Sequence, residues 1–330
     1  MDISPVKEID LSICIVSWNV KDLLMECLFS IDDAGPELRY EVVVVDNNSR
    51  DGSREMVRER FPEITLVPNR VNCGFAFACN QAIQESRGRY ILLLNPDTLI
   101  RSGSLEEMLR FLDERPSSGG GGPKLINPDG TLQPSIRKYP TFKSSLGRFT
   151  ILGDLGFFRR SENEYLARDF DYDSPSIVEQ PMGAALFLKR DALDAVEGLD
   201  ESFFLYYEEV DLCSRLSQAG RALWYNPGAV IIHVGGGSTE KAGPWARFQM
   251  QKSQFKYFTK HFGAGPTMWF KIIFKPLFLM GEYWSLIRNM VSLLGTYISG
   301  GSRSEKDRKG ARLRTRWNFL TKYMIDFLLL

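Results

Sequence analysis

Apolar residues in the first third of the chain come in short runs separated by stretches at helical spacing. Leu11–Ser17 (LSICIVS) and residues 40–45 (YEVVVV) are runs of strand length rich in β-branched residues. Residues 64–67 and Tyr90–Leu94 (YILLL) repeat the pattern. Between them, residues 22–31 set Leu24, Cys27, Leu28 and Ile31 on one helical face, and Ser53–Arg60 and residues 74–86 read as further helices. Ser104, with Glu107 three positions on, predicts a capping box that opens a helix through Leu112. Strands alternating with helices predict an α/β fold whose sheet is mostly parallel, with right-handed crossovers. Ligands of such sheets sit beyond the carboxyl ends of the strands. Three polar clusters fall there: Ser17-Trp18-Asn19, Asp46-Asn47-Asn48-Ser49 and Asn95-Pro96-Asp97. They are expected to converge on one cleft.

Residue chemistry gives that cleft a character. Asp46, at the end of a central strand, can accept a hydrogen bond from a ring N–H, the donor that pyrimidines present at N3. Asn48 and Ser49 can orient the loop, or serve only as an Asx-type turn completed by Asp51-Gly52. Asp97 follows the rigid Pro96, and one carboxylate beside a diphosphate is a usual seat for Mg²⁺ or Mn²⁺. The amides of Asn72-Cys73-Gly74-Phe75 precede a helix and could meet an anion.

Farther along, Glu208, Glu209 and Asp211 follow the aromatic run Phe203, Phe204, Tyr206 and Tyr207. Apolar packing raises a carboxyl pKa towards that of a working base. The plainer alternative is an acidic first helical turn favoured by the macrodipole. Arg215 stands four residues after Asp211 and can bridge to it. His233 ends an apolar strand and can be an ordinary strand-end histidine.

The five cysteines are scattered without a CxxC pair, which predicts reduced, buried thiols in a cytosolic protein. Lys and Arg balance Asp and Glu at 41 each, so nothing global points to nucleic acid. The polar, acidic start MDISPVKEID is not a signal peptide. A nicotinamide dehydrogenase would also begin with a βαβ unit, but it needs a glycine-rich turn after the first strand, and Ser17-Trp18-Asn19-Val20-Lys21 has no glycine.

The blocks IVSWN, VVVVDNNSRDGS, NCGFAFACNQAI, ILLLNPDT, GAALFLKRDALDAVEGLDESFFLYYEEVDLCSRL and VIIHVGGGS span about residues 10–240. Their order and spacing resemble the family 2 inverting glycosyltransferases of GT-A fold, and within them the bacterial rhamnosyltransferase-like branch. The resemblance implies a GT-A domain over 1–240, with a donor half to about residue 125 and an acceptor half from about 126, followed by a helical region over 241–330. It places Asp46 against the pyrimidine, with Ser17, Asn19, Asn48, Ser49, Asn72, Phe75, Asn80 and Asn95 around the donor nucleotide. Asn95-Pro96-Asp97 takes the place of the DxD motif, so Asp97 would bind Mg²⁺ or Mn²⁺, with His233 reaching the metal or the diphosphate. Glu209 takes the place of the general base, Glu208 that of the acid before it. Arg215 matches the basic residue after the pair, supported by Asp211. Two departures stand out. Asn95 replaces the first acid of DxD, and Glu209 replaces the more usual Asp, lengthening the base by one methylene.

The implied activity moves rhamnose or a related hexose from a dTDP- or UDP-sugar to a saccharide or polyprenyl-linked acceptor in cell-surface polysaccharide synthesis. The alternative is a non-catalytic, membrane-associated scaffold on a degenerate transferase fold.

The last third differs in kind. Arg247, Phe248, Lys252, Phe255, Lys256, Tyr257, Phe258 and Lys260 mix bases with aromatics. The apolar stretch 268–298 is interrupted by Lys271, Lys275, Glu282 and Arg288, which argues against a simple span of about 20 apolar residues. It predicts an interfacial amphipathic hairpin, with Trp269, Tyr283 and Trp284 near lipid headgroups. Residues 300–310 read as a charged linker before a final helix carrying Arg312, Arg314, Arg316, Trp317, Phe319, Leu320 and Lys322. Such helices suit an anionic membrane, giving a cytoplasmic protein held peripherally on the inner face. The alternative is that they pack on the catalytic domain or on a second copy of the chain, as a homodimer.

Overall fold

The computed structural model describes residues 9–35, 37–235, 237–300 and 302–330, with the backbone alone for 237–242. The elements begin β1 (Leu11–Ser17), α1 (Lys21–Ala34), β2 (Tyr40–Asp46), α2 (Ser53–Arg60), β3 (Thr65–Pro68), α3 (Phe75–Glu85), β4 (Tyr90–Leu94), β5 (Thr98–Ile100), α4 (Ser104–Asp113) and β6 (Gly120–Ile126). They continue with β7 (Ile136–Arg137), α5 (Phe142–Phe149), α6 (Ile151–Asp154), α7 (Arg159–Tyr165), β8 (Ser176–Val178), β9 (Gln180–Pro181), β10 (Ala185–Lys189) and α8 (Arg190–Ala195). The last are α9 (Glu208–Gln218), β11 (Leu223–His233), α10 (Gly237–Phe262), α11 (Ala264–Ile298), α12 (Arg303–Lys322) and α13 (Met324–Leu329).

The chain divides into two compact units. The first holds the chain up to Tyr139, with Asp169–Phe204 and Glu208–Glu240. The second holds Pro140–Arg168, Leu205–Tyr207 and Lys241–Leu330.

In the first unit the strands run in the order β3-β2-β1-β4-β10-β6-β11-β5, with β8 also on β11. The β3, β2, β1 and β4 pairings are parallel, as the alternating pattern predicts. The strand β10 runs antiparallel between β4 and β6. Both faces are covered, so β1, β4 and β10 read as uninterrupted buried runs. Ile13, Ile15, Val44, Leu92, Leu94 and Phe187 lie at the core centre. Register sets Ser17 opposite Asp46 and Ile15 opposite Leu94, so the polar clusters after β1, β2 and β4 share one edge.

One local expectation fails. Ser104 does not cap α4, because Gly103 holds the cap position. The Ser104 hydroxyl instead donates to Val230 O (2.8 Å) and accepts from Val230 N (3.2 Å), joining the helix to β11.

The second unit is helical, and its core is aromatic. Phe142 stacks on Phe270 with centroids 4.7 Å apart, and Phe278 meets Phe327 at 4.8 Å. Phe142 also explains why Pro140–Arg168 joins this unit rather than the acceptor half, since its ring sits among Phe258, Phe262 and Phe270. The helix α10 is broken at Gly243, whose φ of 44° and ψ of −111° are not helical. Residues from 303 onward are helical, so the expected charged linker is the first half of α12. Glu282, expected as an interruption of an apolar face, is buried and bound by both Arg247 and Arg316.

Candidate functional site

The loops after β1 and β2 carry the residues expected to meet the donor. Asp46 is buried; its Oδ2 accepts from Arg54 Nε (2.5 Å) and from the Ser49 amide (3.0 Å). Its Oδ1 is also buried and has no partner among the described residues. That orphaned acceptor suits a ring N–H, since a buried acceptor left unpaired costs about 1–3 kcal/mol. The Ser17 hydroxyl is likewise buried without a partner. Asn19 and Asn48 take left-handed φ of 55° and 68°, which asparagine tolerates better than most side chains. The Asn19 amide donates to Ser49 Oγ (3.0 Å) and its Oδ1 accepts from the Arg50 amide (2.8 Å), so the two loops are cross-bonded.

The loop before α3 has a different role from the one expected. Cys73 N donates to Asn47 Oδ1, Gly74 N to Asn72 Oδ1 and Phe75 N to Phe204 O. All three amides therefore have internal acceptors, which leaves none of them for an anion. Gly74 has φ 90°, and a Cβ there would lie 2.7 Å from Phe204 O, so the backbones meet too closely for a side chain. Asn80 is likewise held by internal partners. It clips Leu199 through both backbone groups and donates to Glu201 Oε1 (2.9 Å). Its work is to hold the turn that leads towards the acidic helix.

Past β4, Asn95 N donates to Ala184 O (2.9 Å) and Asp97 O accepts from Val234 N (2.9 Å). Asp97 Oδ1 lies 3.4 Å from His233 Nε2. The ring's Nδ1 is 2.7 Å from Gln133 Oε1, and Gln133 Nε2 donates to Asn127 Oδ1 and His233 O. That pattern makes Oε1 the accepting end of the amide and puts the imidazole proton on Nδ1. The other ring nitrogen, Nε2, faces the Asp97 carboxylate, and an imidazole nitrogen beside a carboxylate oxygen is a usual ligand pair for a divalent ion. The pair thus fits a divalent ion. No group of three His, Cys, Asp or Glu forms a full metal cage among the described residues. Two ligands suit an ion that also takes oxygens from a diphosphate.

The acids stand at the start of α9, after Tyr206 and Tyr207, which both take left-handed φ (67° and 69°). Two bulky residues in that region are strained, and such strain gathers at functional sites. Glu208 is buried and Glu209 half-buried, yet each has one fully buried oxygen, Oε2, without a hydrogen-bond partner among the described residues. Burial pushes Glu208 well above the usual carboxylate range, and the Glu209 charge pushes it further. Burial also raises Glu209. A Cβ on Gly183 would lie 3.2 Å from Glu209 Cγ, so the glycine makes room for this side chain. Because Ala184 holds Asn95, residues 183 and 184 link the Asp97 loop to the acids.

Arg215 is committed elsewhere. It donates to Asp211 Oδ2 (2.7 Å), Val196 O (2.5 Å) and Gly198 O (2.8 Å), clamping the turn before the aromatic run. The i, i+4 bridge that the spacing predicts is present, with Asp211 as its buried anchor.

Arg54, Gln133 and Gly183 escape sequence reasoning. Gln133 carries no pattern of its own, and only the meeting of its loop with β11 gives it a partner. Gly183 opens the GAALFLKR block, and a glycine before a buried strand hints at close approach.

The model of glycosyl transferase family 2 matches residues 12–167. The N-acetylglucosaminyl-diphospho-decaprenol L-rhamnosyltransferase of Mycobacterium tuberculosis is 32% identical over 212 residues, 60% of this chain and 67% of that one. The rhamnosyltransferase WbbL of Escherichia coli is 24% identical over 229 residues, 67% of this chain and 82% of its own. Among solved structures, the mannosyltransferase PcManGT from Pyrobaculum calidifontis, in complex with GDP-Man and Mn²⁺, aligns with a TM-score of 0.55 at 16% identity. It covers 97% of this chain and 89% of that one, and at this identity the likeness is one of fold. A sheet with its polar clusters on one edge, an acid pair at a helix start and these relatives lead to one assignment: the chain belongs to glycosyl transferase family 2.

Proposed function

We propose that this chain transfers rhamnose from a nucleoside-diphosphate carrier, dTDP or UDP, to a saccharide or polyprenyl-linked acceptor in cell-surface polysaccharide synthesis, with inversion at the anomeric carbon. The sugar follows the two rhamnosyltransferase relatives, and the lipid-linked acceptor follows the mycobacterial one. The observation that carries the chemistry is the acid pair. Glu208 and Glu209 each hold a buried, unpartnered oxygen, and Gly183–Ala184 ties them to the Asp97 loop.

In this reading Glu209 is the base, and burial beside that charge keeps the proton on Glu208. The acceptor hydroxyl passes its proton to Glu209 as its oxygen attacks the anomeric carbon. The bond to the diphosphate breaks on the opposite face, so the configuration inverts in one step. Asp97 and His233 would hold a divalent ion, Mg²⁺ or Mn²⁺, which neutralises charge growing on the diphosphate. Asp46 accepts the ring N–H of the pyrimidine through its free Oδ1. With a lipid-linked acceptor the enzyme works at the inner membrane surface; among the described residues no helix is long and apolar enough to cross a membrane.

A thermal-shift screen of nucleoside diphosphates and their sugars, with Mg²⁺ or Mn²⁺, tests this reading. Stabilisation by dTDP or UDP forms is expected, followed by transfer to a polyprenyl-diphosphate saccharide with an inverted product. Asp46→Asn keeps the volume but puts an N–H₂ where the free acceptor stood, so pyrimidine affinity should fall by about 1.5–3 kcal/mol. Absence of stabilisation by every nucleotide would favour the non-catalytic scaffold.

A further inference from the structure

The helix α11 buries one side and leaves the other apolar and bare. Phe270, Phe274, Phe278 and Ser285 turn into the aromatic core of the helical unit. On the other side Trp269, Ile273, Met280, Trp284, Ile287 and Val291 recur at three- or four-residue spacing or its multiple, each 49–66% exposed. The strip continues to Ile298, which is 79% exposed. Lys271 Nζ donates to Leu330 O and Lys275 Nζ to Leu328 O, drawing the end of α13 beside the first turns of α11. There Ile325 and Leu329, 70% and 79% exposed, add to the strip. Soluble monomers rarely leave a continuous apolar surface this long without a partner.

Charge identifies the partner. Residues 241–330 carry 16 Lys and Arg against 4 Asp and Glu, whereas residues 1–240 carry 25 against 37. The chain's zero net charge conceals this division. Arg308, Arg312, Arg314 and Lys322 of α12 are exposed, and α12 packs along α11. A second copy would set one strongly cationic region against another. A nucleic acid would use the cations and leave the apolar strip wet. An anionic bilayer satisfies both, with tryptophans suited to the headgroup boundary.

We propose that α11 lies in the surface of an anionic bilayer, its Trp269–Ile298 strip inserted and the α12 cations on the headgroups. The helix lies along the membrane rather than across it. The inference deepens the lipid-linked acceptor reading and rests on it for its purpose, but the binding itself needs neither donor nor acceptor.

The test is flotation of the full chain with phosphatidylcholine vesicles, with and without phosphatidylglycerol. Wild type should float with the anionic vesicles and far less with the neutral ones. Trp284→Glu/Ile287→Glu should stay with the soluble fraction while its circular dichroism and Tm match wild type. Arg312→Glu/Arg314→Glu should weaken binding about tenfold or more at low salt, with the difference shrinking as salt rises. Failure of wild type to float, or flotation of the Trp284→Glu/Ile287→Glu variant like wild type, overturns the proposal. So does a concentration-dependent dimer that this variant dissolves while vesicles are ignored, because the occupant is then a second copy. Transfer to a water-soluble acceptor, measured in parallel, separates the two readings: loss of flotation with transfer intact sinks the docking face alone, and flotation without transfer sinks the transferase reading alone.

Discussion

The two units each break the rule of apolar inside and polar outside, and they break it in opposite directions. The sheet unit has an aliphatic core and yet buries Asp46, Asp97, Glu208 and Asp211. The helical unit has an interior of phenylalanines and yet exposes tryptophan, isoleucine and methionine along α11. Buried charge is costly unless paired, and a wide exposed apolar strip is costly unless covered. In the sheet unit Asp211 has an internal partner that balances it, whereas Glu208 and Glu209 retain unmet oxygens. In the helical unit Glu282 is balanced by two arginines, and the strip is unmet. In both units the balanced groups hold the structure, and the proposed ligand sites stand at unmet ones.

The comparison is broken most directly at Glu209. If its unmet oxygen is the base, Glu209→Gln keeps size and hydrogen bonding but cannot take the proton. Its kcat should fall by about 10²–10⁴ with donor affinity nearly unchanged, as steady-state and binding measurements would show. Near-normal turnover in Glu209→Gln, with Glu208→Gln inactive, would reverse the assignment within the pair.

The second break concerns a balanced group. Glu282→Ala would leave Arg247 and Arg316 facing each other without their shared anion. Both arginines keep some solvent contact, so the cost belongs near the low end for a broken buried pair, about 3 kcal/mol in chemical unfolding. Nucleotide binding should persist at temperatures where the variant is folded. A change below about 0.5 kcal/mol would show that water already screens this cluster.

The smallest effect sharpens the contrast through pH. Glu208 binds its proton more tightly folded than unfolded, so the folded state carries more protons above the ordinary value of 4.5. Stability from this group is full below that pH and is lost as pH rises towards the raised folded value. Glu208→Gln removes the loss, so its Tm should match wild type at pH 4 and exceed it at pH 8. Equal Tm differences at both pH values would mean that the carboxyl titrates normally.

Much of this was legible in the chain because the signals were local. Strands β1, β2 and β4 announce themselves as apolar runs, and the clusters at their ends follow from parallel topology. The acids of α9 stand out because they follow four aromatics. What stayed hidden depends on distant partners. The spacing announced the bridge of Arg215 to Asp211 but not its two carbonyl acceptors, on Val196 and Gly198, which lie 19 and 17 residues away. The loop at Cys73 looked like an anion nest because the groups that fill it, Asn47 and Phe204, come from elsewhere in the sheet unit. Glu282 looked like a flaw in an apolar face because its arginines lie 35 residues before it and 34 after. Charge was misleading for a different reason: a total of zero averaged two large and opposite halves.

The short segment Gly183–Ala184 has a mechanical meaning. It leads into β10, which runs antiparallel beside β4 with Ala185 opposite Leu94. One side of it grips the loop of Asp97 and the other lies under Glu209. In the proposed mechanism, the span from leaving-group end to base is therefore gauged by a strand in the middle of a sheet, the stiffest part of the unit. Such a gauge does not stretch for a larger substrate. Differences in sugar or acceptor must be accommodated by the loops around it, so a graft that swaps those loops can change what is transferred while the stroke of the reaction keeps its length.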